Sequence, residues 1–148
     1  MSGPQIALVV HFFGLMLWIG GAATSAWMAA SIVASGSGRS LGEHEVKALS
    51  TVRSALLAVV APGILLATLG GLARLLPAWG SVYAHAHWMH GKLAIGLALG
   101  ALHGVLVGRV RKAAKGEPSS AGVFVGLAVA HVVLGLGAVY LAVLRPGE

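Results

Sequence analysis

AGVFVGLAVAHVVLGLGAVYLAVL, residues 121–144, runs for 24 residues without a charged side chain. A helix of that length rises about 36 Å, enough to cross the ~30 Å hydrocarbon core of a bilayer. Three segments of the same kind precede it, at about residues 4–34, 47–76 and 85–110. Together the four use nearly all of the 148 residues. The pattern predicts an all-α fold: an integral membrane four-helix up-down bundle, built as a single domain. Pro4 suits the first turn of helix 1, Pro77 stops helix 2, and Pro146 follows helix 4. Composition agrees. The chain is 57% hydrophobic and 9% charged, whereas a soluble domain carries roughly a quarter charged residues. With so few polar side chains, no soluble fold could cover its own surface.

The net charge of +6 invites a nucleic-acid reading, but the cations are placed as membrane topology places them. Arg39, Lys47, Arg53, Arg109, Arg111, Lys112 and Lys115 lie on the side of two polar loops, residues 35–46 and 111–120. Arg74, Lys92 and Arg145 lie on the other side. Seven against three predicts that both loops are cytoplasmic and both termini outside, in a multi-pass protein of the cell inner (plasma) membrane. The first apolar segment lacks a basic leader and a convincing cleavage site, and reads as a retained helix. The absence of cysteine excludes disulfides, iron–sulfur clusters and thiolate-ligated or covalently attached haem. All four acidic residues, Glu43, Glu45, Glu117 and Glu148, lie in loops or at the end, which argues against proton coupling through a buried carboxylate.

Ionisable groups are costly within a membrane and tend to be functional there. Of the seven histidines, only His44 sits in a polar loop. His11 lies about seven residues inside helix 1 and His90 about five residues inside helix 3. In an up-down bundle those helices are parallel, so the two imidazoles share a level near the outer surface. Facing imidazoles are a natural bis-histidine haem site, while the alternative is two core histidines bonded to carbonyls or water. Trp18 shares the face of His11 and could pack on a macrocycle or simply fill the core. Lys92, Gly96 and His103 share one face of helix 3, and His90 points elsewhere. Lys92 either snorkels to water or awaits an anionic ligand group. His85 and His87, with His90, form an outer cluster able to grip copper or zinc. His131 stands near the middle of helix 4; it could partner His103, but its level differs from that of His103 by about a turn or more. Gly96, Gly100, Gly104 and Gly108 form a smooth stripe along helix 3, open to a neighbouring helix, a second copy of the chain or a flat ligand.

Several of these residues resemble a family pattern. His11 with Trp18-Ile19-Gly20-Gly21, the run Arg53, Pro62, Thr68, Gly70-Gly71, and above all Trp88-Met89-His90-Gly91-Lys92-Leu93 resemble motifs of the HemJ-type protoporphyrinogen oxidases and their CopD-like relatives. His103 falls near that family's Tyr-His, with Leu102 in place of the Tyr. The likeness covers about the first three-quarters of the chain. It implies haem b held by His11 and His90, a functional lysine at Lys92 and a functional arginine at Arg53. It also implies removal of six electrons and six protons from a porphyrinogen, with electrons passing to quinone. Ala26-Trp27 stand where the family has Pro-Arg, and Gly116-Glu117-Pro118 is all that remains of its Asn-Glu-x-Pro. Two other functions stay open: a non-catalytic b-type cytochrome subunit that relays electrons, and a copper-handling protein that uses the outer histidines.

Overall fold

The computed structural model describes residues 2–36 and 40–144, which leaves Arg39, Arg145, Pro146 and Glu148 outside the described residues. Among the described residues, four helices are long and apolar enough to cross a membrane: α1 (Gly3–Ser35), α2 (Glu43–Tyr83), α3 (His87–Ala113) and α4 (Ala121–Leu144). The up-down order expected from the sequence is the order observed. Six of the eight described lysines and arginines gather at the end that carries the α1–α2 and α3–α4 loops, leaving Arg74 and Lys92 towards the end far from those loops, termed the outer end.

Boundaries follow local chemistry. The Ser2 amide donates to Gln5 Oε1 at 2.8 Å, closing the start of α1. α2 begins at Glu43, four residues earlier than expected, because Glu43 and Glu45 favour the positive end of the helix dipole. Pro77 does not stop it: the chain tightens into a 3-10 turn over Leu76–Ala78 and loosens into a π turn over Trp79–Tyr83. A proline at the start of a new turn needs no N–H donor, and so the helical path survives in altered form. α3 starts at His87 rather than His85. It ends at Ala113, and the turn that follows closes at Gly116, whose φ of 78° suits a residue without Cβ. The Gly116 and Glu117 amides donate to the Ala113 and Lys112 carbonyls, a glycine-capped helix end.

α1 and α2 each contain one internal π turn, Met16–Gly20 and Leu56–Val60, and the two turns pack together. The second has an identifiable cause. Pro62 follows it, lacks an N–H and would crowd the Ala58 carbonyl in a regular helix.

Lipid supplies no hydrophobic force between helices, so association rests on close packing and hydrogen bonds. The outer half of α1 packs on the outer half of α2 through small residues. A Cβ on Gly14 would collide with the Ala67 backbone nitrogen, one on Gly63 would stand 2.9 Å from the Trp18 nitrogen, and one on Gly70 would stand 2.6 Å from the His11 nitrogen. The loop-side half of α1 instead packs on α4, and α4 packs along α3. The buried apolar core lies in that half, where Ala26, Ala29 and Val33 meet Leu49, Val52, Leu106, Val110 and Phe124. Among the described residues, the outer halves of α1 and α2 meet α3 and α4 only sparsely. The bundle is thus two helix pairs closed together at the loop end and parted at the outer end.

The helix 3 stripe behaves differently from the α1–α2 seam. A Cβ on Gly96, Gly100, Gly104 or Gly108 would meet nothing within 4 Å. This contrast gives a direct test by thermal unfolding in detergent. Gly70→Ala should lower stability by about 1–3 kcal/mol, because backbone cannot yield to the new methyl. Gly104→Ala should be neutral or raise stability by up to ~1 kcal/mol through helix propensity. Equal losses in the two variants would contradict close backbone contact at the α1–α2 seam.

Candidate functional site

His11 is the residue the α1–α2 seam positions most tightly. Its Nδ1 lies 2.6 Å from the Ala67 carbonyl oxygen across the helix pair. A carbonyl only accepts, so the bond requires the proton on Nδ1 and leaves Nε2 with a bare lone pair. Gly71 makes room for the ring: a Cβ there would stand 3.0 Å from Nδ1. Histidines that ligate metals are held in this manner, with the second nitrogen bonded to a carbonyl or carboxylate.

Two cations share the outer end with this imidazole. His11 interacts electrostatically with Lys92 and Arg74, and those two interact with each other. Lys92 is half-buried and Arg74 exposed. In the sequence Arg74 counts only towards topology. A signal for more is there, since Arg74 follows Ala67 and Gly70 at helical spacings of seven and four and so returns to the face of α2 that meets α1.

The remaining expected residues divide. His90 is at the outer end but exposed, with its ring 6.0 Å from that of Trp79. The rings of His11 and His90 engage different neighbours, and no described contact joins them. Trp18 is buried in the α1 π turn, and its Nε1 has no hydrogen-bond partner. Arg53 is exposed on α2, 14 residues from Ala67 and so about 21 Å towards the loop end. It does not join the His11 group. His103 is buried 13 residues from His90, about 20 Å deeper in α3, and belongs to a separate layer with His131. Gly91 faces Leu141 and Gly137 faces Ile95, a register that sets His103 and His131 within about two residues in level, less than the turn or more read from the sequence. His85 and His87 are exposed. Among the described residues no group of three or more histidine, aspartate or glutamate side chains is placed to hold a metal ion.

The donor chemistry at the outer end fits haem. His11 offers an uncommitted Nε2, His90 lies at the same end, Lys92 and Arg74 supply positive charge suited to carboxylates, and the parted helix pairs leave one side of the end loosely packed. No family model matches the chain, and neither a curated protein nor a solved structure does.

The tautomers can be read directly. Nitrogen-15 spectra of histidine-labelled protein should show His11 with Nδ1 protonated and Nε2 bare. His131, whose Nδ1 lies 2.8 Å from the Leu127 carbonyl, should show the same form. A bare Nδ1 on His11 would rule out the Ala67 bond.

Proposed function

We propose that this chain is a membrane b-haem oxidoreductase resembling the HemJ-type protoporphyrinogen oxidases, passing electrons to quinone. The observation that carries the reading is the His11–Ala67 bond, which fixes the imidazole with a bare Nε2 beside Lys92 and Arg74. His11 and His90 would hold the iron, and haem, when bound, would supply one-electron redox chemistry. Lys92 would hold a carboxylate of the macrocycle or the substrate. It stands two residues after His90, and hence about 200° around α3, so the two side chains serve different neighbours. Arg74 would share that anion with Lys92. Trp18, seven residues after His11, would offer an indole face or its N–H to the same ligand.

The reading has a spectroscopic test. Protein expressed with ample haem and purified in detergent should be coloured, with a reduced-minus-oxidised difference spectrum of a b-type centre. His11→Ala and His90→Ala should each lose haem or turn the spectrum high-spin. Lys92→Ala should keep a near-normal spectrum but lose porphyrinogen oxidation or quinone reduction. Full activity in Lys92→Ala would remove that residue's role, and a haem-loaded wild-type protein without porphyrinogen oxidation would favour the non-catalytic electron-relaying cytochrome subunit. A colourless wild-type protein would end both readings.

The same proposal places the loops in the cytoplasm and both termini outside in the plasma membrane, from the excess of lysine and arginine at the loop end. It also assigns the open glycine stripe of α3 to contact with a second copy of the chain. A C-terminal reporter active only outside the cytoplasm should work. One active only in the cytoplasm would reverse the topology if it worked instead.

A further inference from the structure

Ser25, His103 and His131 are the buried polar residues of the described chain. They come from α1, α3 and α4, yet each stands ten residues from the loop-side end of its helix, at Ser35, Ala113 and Ala121. All three therefore lie about 15 Å from that end, in one layer near the middle of α4. Packing contacts agree on the register: Gly91 faces Leu141 and Gly137 faces Ile95, which sets His103 within about two residues of His131 in level.

The layer carries unmet hydrogen-bonding demand. His131 Nδ1 is committed to the Leu127 carbonyl, leaving Nε2 as a buried acceptor without a partner. His103 Nδ1 is also buried without a partner. Buried groups in this state call for a bound molecule. A carbonyl or carboxylate could only accept, and an ammonium could only donate. A hydroxyl does both: its proton goes to His131 Nε2 and its lone pairs accept from His103 Nδ1–H or the Ser25 hydroxyl.

The route to the layer is equally restricted. Val33, Leu106, Val110 and Phe124 close it towards the loops, and Leu56 and Leu99 lie towards the outer side. From the lipid side it is flanked by an apolar groove of about 430 Å³ between α1 and α4. Ala23, Thr24 and Trp27 bracket Ser25 in the chain, and Ala128, Val129 and Val132 bracket His131, so the groove runs directly outside the layer. A molecule that entered from this side would need an apolar body for the groove and a hydroxyl head for the histidines.

We propose that Ser25, His103 and His131 form an internal site for the hydroxyl head of a lipid-soluble alcohol or phenol, entered from the membrane through the α1–α4 groove. This site is distinct from the outer His11 end and stands whether or not haem binds there. The test uses a matched pair of probes, para-decylphenol and decylbenzene, each brominated on the chain so that it quenches tryptophan. In detergent-purified protein the phenol should quench saturably, with about tenfold higher affinity than decylbenzene, a ratio worth about 1.4 kcal/mol. Trp27→Phe should remove most of the quenching, which locates the probe in the groove. His131→Leu should erase the difference between the probes while leaving decylbenzene binding unchanged. Equal affinities in the unaltered protein would overturn the proposal and leave the layer to water, a comparison that stands even if His131→Leu fails to fold. Undiminished quenching in Trp27→Phe would also overturn it.

Discussion

The outer end of this bundle depends on how closely α1 approaches α2. Apolar side chains gain nothing by leaving lipid for one another, so the helices must be held by dispersion contacts at short range and by polar bonds. Glycine and alanine at positions 14, 63, 67 and 70 permit that range, and the Ala67 carbonyl provides the bond. His11 stands where the two requirements meet. Its ring lies against Gly71, where a Cβ would stand 3.0 Å from Nδ1, and its tautomer is set because the backbones are near enough for Nδ1 to reach across. A wider seam would free the ring and remove the chemical bias towards a bare Nε2.

The two π turns belong to the same arrangement. Each interrupts regular hydrogen bonding, at Met16–Gly20 and Leu56–Val60, and each is covered by the other helix of the pair. Within a membrane such irregular backbone is tolerated where protein covers it. They mark the level at which α1 exchanges partners, packing on α2 above and on α4 below. That exchange parts the bundle at its outer end. It leaves His11, Lys92, Arg74 and His90 around a loosely closed mouth, and shuts Ser25, His103 and His131 inside a packed lower half.

The fold was largely legible in the sequence because its signals are long and redundant. Twenty-four uncharged residues admit one reading, and errors of a few residues at helix ends do not alter it. The ends themselves were less legible. Pro77 looks like a stop, yet a chain in an outer turn can pass through 3-10 and π geometry without exposing more donors than it must. The site was legible in part. His11, Lys92 and Trp18 stood out as polar or aromatic groups in apolar helices, whereas their partners did not. The Ala67 carbonyl has no side-chain signature. Arg74 resembles any interfacial cation until the register of α1 on α2 places it near His11. The layer of His103 and His131 was obscured by one helix end, since reading helix 3 to Val110 rather than Ala113 shifts the inferred level of His103 by three residues.

The glycines show most clearly what spacing can and cannot reveal. Gly96, Gly100, Gly104 and Gly108 form the most regular small-residue pattern in the chain, yet none is covered within it. The irregular set of Gly14, Gly63 and Gly70 carries the intramolecular seam. Spacing shows that a helix face is smooth. It does not show what lies against that face, because a smooth face is equally compatible with a neighbouring helix, a second copy or lipid. The deciding variable is register, which follows from where the chain turns and where its helices bend. Four uncovered glycines also forgo helix propensity without return inside the monomer, by up to ~1 kcal/mol each on aqueous scales. That face stands open to any of the three, whereas the seam of α1 and α2 already has its occupant in His11.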